Sequence, residues 1–261
     1  MHRRKFVYAA AVLATALSLR SGASAAAEKP VVTVFAAASL REAFDAAAPA
    51  FTKATGFPVR FSYGGSDALV AQLLQGAPAD VFASANEPQM KRAIDGGAVV
   101  SAREFARNRL VVIVPANDTA VASIADLGKK GIKIVLAAPA VPVGAYARQA
   151  FGNLAKDRAY GADFAVRVQA NVVSEETDVK AVATKISLGE GDAGVVYATD
   201  VTPAIAPKVR VLRFPPGTAP EAVYPIAVTK NATNAEGARA FVEFITSPAG
   251  RVFLRARGFE D

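Results

Sequence analysis

Residues 31–44, VVTVFAAASLREAF, carry an uncharged β-branched and aromatic run into three alanines, a serine and then an amphipathic stripe. Val31, Val32, Thr33, Val34 and Phe35 read as a strand buried on both faces of a parallel sheet, because such a strand has no solvent face to mark with charge. Ser39 stands three residues before Glu42, the spacing of a capping box, and Leu40, Ala43 and Phe44 begin an apolar helical face. The stretch predicts strand, tight turn, helix. A helix that starts where a parallel strand ends presents free backbone N–H groups and the positive end of its dipole beyond the sheet edge, which favours an anion. Ser39 adds a hydroxyl there. Its plainer role is to cap the helix, as serine does in helices generally.

The same pattern repeats outward along the chain. The first helix runs to about Thr55 and stops at Gly56. A strand at 58–63 leads through Gly64-Gly65-Ser66-Asp67 into a helix that closes near Gly76, and a strand at 79–83 precedes a helix at 88–95. Residues 108–115, NRLVVIVP, entered from an exposed segment at 103–107, read as a crossing into a second lobe. There follow a strand at 133–137, a loop at 139–144, a helix at 145–154, a strand at 168–173 and a helix opened by SEETDV at 174–179. A strand at 192–197 ends in Tyr197, and another spans 209–214. Residues 224–229, YPIAVT, read as the return crossing, followed by helices at 234–244 and 248–257. Strands alternate with helices through short connections, so the fold class is α/β: two lobes, each a mainly parallel sheet flanked by helices, joined by two crossing strands. Lobe I comprises residues 26–107 and 222–261, lobe II residues 108–221.

Residues 1–25 have the layout of a secretory signal peptide: His2, Arg3, Arg4 and Lys5, then an apolar run at 6–19, then Ala23-Ser24-Ala25. The apolar run is short of the roughly 20 residues a membrane span needs. The paired arginines also resemble a twin-arginine signal. Removing the leader takes four basic residues and lowers the formal charge from +7 to +3. That mild positive balance suits an anionic ligand and is too dispersed for nucleic acid, so no nucleic-acid partner is expected. The chain has no cysteine, hence no disulfide and no lipid-attachment site, and its single histidine, His2, lies in the leader. Ser-His-Asp and Cys-His nucleophilic sites, and His or Cys metal ligation, are therefore excluded from the exported chain.

Helix starts with small or hydroxyl residues follow several strand ends: Ser39, Ser66, the Val143-Gly144 turn and Asp178-Val179. In open α/β sheets ligands bind outside the carboxyl ends of the strands. Four such helix starts around one cleft would hold a small dianion on N–H groups and hydroxyls without a countercharge. Singly, each is an ordinary helix cap. Tyr197 reads as a residue at a sheet edge, where tyrosine is common, or as a phenol donor that hydrogen-bonds an oxyanion without adding charge.

FAAASL at 35–40, QGAPADVFASAN at 75–86, NRLVVIVP at 108–115, VPVGAYA at 141–147, DAGVVYATD at 192–200 and SPAGRVFLRARGF at 247–259 together resemble the periplasmic molybdate-binding proteins of molybdate ABC transporters. The resemblance implies a type II periplasmic binding protein closing on a tetrahedral oxyanion, with no enzymatic activity and no cofactor. It implies ligand contacts from Ser39 and Ser66 (hydroxyl and N–H), Val143 and Val179 (backbone N–H) and Tyr197 (phenol O–H). The metal would be held only as molybdate or tungstate through these residues, with no direct protein–metal bond. The implied partners are the anion and a membrane ABC permease, and the implied form is a periplasmic monomer without a lipid anchor.

Two departures from the family pattern bear on the ligand. YGGSDAL places Asp67 beside Ser66, and SEETDV is acidic. These carboxylates complement helix dipoles if they stay outside the site. Inside it, a carboxylate would repel fully ionised molybdate, tungstate or sulfate and suit phosphate, which carries a proton at neutral pH. The alternatives are the same fold with sulfate, phosphate or a small organic anion, and an exported enzyme using paired carboxylates such as Asp178 with Glu175.

Overall fold

The opening stretch folds as β1 (Val32–Ala37), a single 3₁₀ turn (Ala38–Leu40) and α1 (Arg41–Thr55). The computed structural model describes residues 29–261, so the proposed leader at 1–25 lies outside the described residues. β1 is buried along its length because it sits between two parallel neighbours, β2 (Val59–Gly64) and β3 (Val81–Ala83). α1 ends at Gly56, whose φ of 77° is the left-handed conformation that glycine adopts without strain.

Among the described residues two five-stranded sheets form. The first has the order β2-β1-β3-β10-β4, with β4 at Arg103–Asn108 and β10 at Ala222–Val228. The second has the order β7-β6-β8-β5-β9, with β5 at Leu110–Pro115, β6 at Ile134–Ala137, β7 at Val172–Glu176, β8 at Ala193–Tyr197 and β9 at Val209–Arg213. Each sheet is mixed rather than mainly parallel: four strands run one way and one is reversed, so half of the strand pairings are antiparallel. β10 runs against β3 and β4, and β5 runs against β8 and β9. Both reversed strands are the first their sheet receives after a crossing. The chain passes between sheets at Arg109 and returns through residues 214–221, so reversal follows from re-entering a sheet from the side of its neighbour.

The helices are α2 (Ser66–Leu74), α3 (Glu87–Asp95), α4 (Pro142–Leu154), α5 (Phe164–Ala170), α6 (Val179–Ser187), α7 (Ala235–Thr246) and α8 (Pro248–Arg255). Phe44, Phe51 and Phe241 pack edge to face in the first lobe's core, with ring centroids 5.5 and 5.2 Å apart. None of the described helices is long and apolar enough to cross a membrane.

Three local expectations are corrected. The exposed-looking segment 103–107 is an edge strand, so NRLVVIVP is divided: Asn108 ends one sheet and Leu110 starts the other. The first half of the strand expected at 168–173 is helix, because Phe164 and Val168, four apart, are buried together while Val166 is 71 % exposed, and the strand begins only at Val172. α4 begins three residues before the expected Ala145, since Pro142 sits well in a first helical turn.

Candidate functional site

The five sequence-predicted residues, Ser39, Ser66, Val143, Val179 and Tyr197, all line one cavity between the two sheets. It is small, about 10 Å³, room for about one water-sized group in this closed arrangement. Each is at least 96 % buried.

Ser39 does not form the expected capping box. Its side chain makes no bond to the α1 backbone, and the cap position belongs to Leu40. The intervening 3₁₀ turn sets Ser39 ahead of the helix proper, so its hydroxyl turns inward and lies 2.9 Å from the Tyr224 hydroxyl. Ser66 is the first residue of α2, after a Gly65 cap that offers no side chain. Its Oγ accepts the Ala85 N–H at 3.0 Å, which leaves its own hydrogen to donate elsewhere.

The second-lobe wall is built from backbone. Val143 follows Pro142 in the first turn of α4, and its N–H has no intrahelical partner by helix geometry. Gly144 is required next: a Cβ there would lie 2.2 Å from the Ala138 carbonyl oxygen. Val179 opens α6 behind Asp178, which caps the helix by accepting the Lys180 and Ala181 N–H groups at 2.8 and 3.0 Å. That cap consumes the second and third N–H groups and leaves the Val179 N–H free. Tyr197 ends β8 with its hydroxyl buried and without a hydrogen-bond partner among the described residues. Burial, with Tyr224 close by, raises its pKa well above the ordinary phenol value, so at neutral pH it stays a proton donor.

No lysine or arginine lines the cavity. The nearest buried charge stands behind it. Lys180 Nζ lies 2.7 Å from Glu42 Oε2 in α1 and 3.0 Å from Asp200 Oδ1, joining the two lobes. Asp200, fully enclosed, also accepts the Tyr197 N–H at 3.1 Å. Its carboxyl is raised above the ordinary value by burial, which the lysine opposes. Lys180 is raised by its two carboxylate neighbours, which outweigh its own burial. Gln89 Nε2 donates to the Ala140 carbonyl at 3.0 Å across the cleft mouth. The lobes therefore meet on several sides of the cavity.

Of the acidic residues that threatened the ligand reading, only Asp178 lines the cavity, and its carboxylate is engaged by the α6 backbone. Asp67 is absent from the lining, and its Oδ1 is buried beside Gly65 without a hydrogen-bond partner among the described residues. Glu175 pairs with Arg148, and Glu176 with Lys185 at 2.6 Å. Asp178 is the α6 cap, so Asp178 and Glu175 hold different partners and form no paired-carboxylate arrangement. Sequence reasoning missed Tyr224, Asn108, Lys180 and Asp200. The available signal for the first two was a polar residue at the start of each apolar crossing strand.

Two α/β lobes that meet over a small cavity walled by hydrogen-bond donors define a solute-binding protein, and the chain belongs to the bacterial extracellular solute-binding protein family, whose sequence model matches residues 32–260. Within this class it is similar to the molybdate-binding protein ModA of Mycobacterium tuberculosis, 38% identical over 231 residues that cover 87% of this chain and 84% of that protein. The periplasmic molybdate-binding protein of Azotobacter vinelandii superposes with a TM-score of 0.75 at 23% identity, covering 88% of this chain and 99% of that one. The sulfate-binding protein SubI of M. tuberculosis superposes with a TM-score of 0.77 at 21% identity, covering 88% and 86%. These two structures establish the fold, that of type II periplasmic binding proteins. The resemblance first read in short motifs thus extends over most of the chain.

Proposed function

We propose that the protein captures molybdate, and tungstate with it, outside the cytoplasm and delivers it to a membrane ABC permease. The observation that carries this reading is the Tyr197 hydroxyl, buried without a partner and facing a cavity where two serine hydroxyls and two helix starts converge. A buried polar group without a partner is costly, and an oxyanion bound there would supply the acceptor. Val143 and Val179 give backbone N–H groups from one lobe, Ser39 and Ser66 give hydroxyls from the other, and the anion bridges them. Binding then stabilises the closed form in proportion to the anion's preference for it.

A donor set fixed on helix starts and strand ends resists contracting around a smaller anion, which sets molybdate and tungstate apart from sulfate. Sulfate is the second reading, because it too is fully ionised and the fold is shared with a sulfate-binding protein. The protein acts as a periplasmic monomer without a lipid anchor and without catalysis.

Calorimetric titration of the exported chain with molybdate, tungstate, sulfate and phosphate tests this. Strong heats for molybdate and tungstate, weak ones for sulfate and none for phosphate are expected. Absence of any response to millimolar molybdate, together with a clear response to phosphate, would overturn it.

A further inference from the structure

We propose that Tyr224 and Asn108 form a hydrogen-bond relay that aims the Ser39 hydroxyl hydrogen into the cavity and thereby tunes the site for fully ionised oxyanions. The inference rests on the oxyanion reading of the cavity. Asn108 ends β4 at the first crossing, and Tyr224 lies in β10 just after the return, so the relay is assembled where the two lobes join.

Its polarity follows from groups that can play only one part. The Arg109 backbone N–H can only donate, and it donates to Asn108 Oδ1 at 2.9 Å. The Asn108 amide nitrogen is therefore on the other side, where it donates to Thr199 Oγ1 at 2.7 Å and approaches the Tyr224 oxygen at 3.5 Å. Tyr224 is wholly buried, and among the described residues its one acceptor is Ser39 Oγ, 2.9 Å away. Were Ser39 the donor in this pair, the phenol hydrogen would be left without an acceptor inside the protein, a costly outcome. Tyr224 therefore donates, Ser39 accepts, and the serine hydrogen is released toward the cavity.

Ser66 is held in the same sense by a different group. The Ala85 N–H occupies its oxygen, so its hydrogen is also free to donate. Tyr197 is a third hydroxyl, beside Tyr224 but without a partner within hydrogen-bond distance among the described residues. Each serine oxygen spends one lone pair on these donors, and its hydrogen has no acceptor among the described residues, so both hydroxyls face the cavity as donors, the wrong sense for the hydrogen of a protonated anion such as hydrogen phosphate. Tyr224 is thus a positioning residue: it touches Ser39, and through it sets which protonation state the site prefers.

The test is a double-mutant cycle between Tyr224→Phe and Ser39→Ala, titrated calorimetrically with molybdate and with phosphate. Phenylalanine keeps the ring contacts to Phe105, Phe259 and Tyr197, and thermal unfolding checks that the variants fold. Tyr224→Phe is expected to weaken molybdate about fivefold while phosphate binding holds or improves, because Ser39 is then free to accept. In the Ser39→Ala background the same change should leave the ratio of the two affinities within about twofold. Equal weakening of both anions, or an unchanged ratio shift after Ser39 is removed, would overturn the relay. If the unmodified protein takes sulfate rather than molybdate, the functional reading fails instead. The relay is then judged by the same cycle with sulfate against phosphate.

Discussion

The two walls of the cavity are made of different material. The first-lobe wall presents hydroxyls, Ser39 and Ser66, each with its oxygen engaged by a neighbour from elsewhere in the chain. The second-lobe wall presents backbone at the starts of α4 and α6, and behind it stands a buried charge cluster of Lys180, Asp200 and Glu42. A hydroxyl wall can be altered one side chain at a time. A backbone wall responds only to changes in the chain itself or in what supports it.

The largest effect should come from that support. Lys180→Met leaves Asp200 enclosed without its cation, which costs about 3–5 kcal/mol of stability near neutral pH. The carboxyl of Asp200 is already raised above its ordinary 3.8 by burial. For a carboxyl whose folded pKa is raised, the penalty is full above the folded value and vanishes below the unfolded one. The deficit of the variant should therefore shrink as the pH falls toward about 4. Melting temperatures of both proteins across this range check the sign, and a deficit independent of pH would remove Asp200 from the explanation.

Val179→Pro addresses the backbone directly. It deletes one N–H at a first helical position, where proline is well tolerated, and the extended Asp178 before it suits a following proline. Loss of one hydrogen bond to a charged ligand predicts about 10- to 100-fold weaker molybdate binding with the fold retained. Affinity equal to that of the unmodified protein would show that this helix start does not touch the anion.

On the opposite wall Ser66→Ala should cost less, about tenfold in affinity, since the Ala85 N–H that it frees also lines the cavity and replaces part of the lost donor. A larger loss for Ser66→Ala than for Val179→Pro in titration would make the hydroxyl wall the dominant one. Smallest of all is Asp67→Asn. Because Asp67 is outside the lining, molybdate affinity should change by about twofold or less. A large gain would mean that its charge reaches the ligand.

Much of this arrangement was legible in the chain. Alternation of apolar strands and amphipathic helices is a local property, and it identified the α/β class and the helix starts at Ser66 and Val179 to within a residue or two. Ambiguity arose where both periodicities fit. VRVQANVV at 166–173 offers β-branched residues to a strand, yet burial at Phe164 and Val168 selects a helix for its first part. The crossing at Arg109 was blurred for a related reason, since β4 and β5 are separated by a single residue and read as one run.

The sequence by itself determined the element types, the lack of cysteine and of any histidine beyond His2, and the set of residues able to donate at helix starts. Those follow from composition and near-neighbour spacing. Only the tertiary structure decided what each hydroxyl does. Ser39 has the spacing of a helix cap, but a 3₁₀ turn moves it off the helix and a tyrosine 185 positions away in the chain takes its oxygen. Asp67 has the spacing to enter the site, but lies outside the cavity lining. The physical reason is range: helix and strand form from contacts a few residues apart, whereas the direction of a hydroxyl hydrogen depends on which distant donor arrives to claim the oxygen.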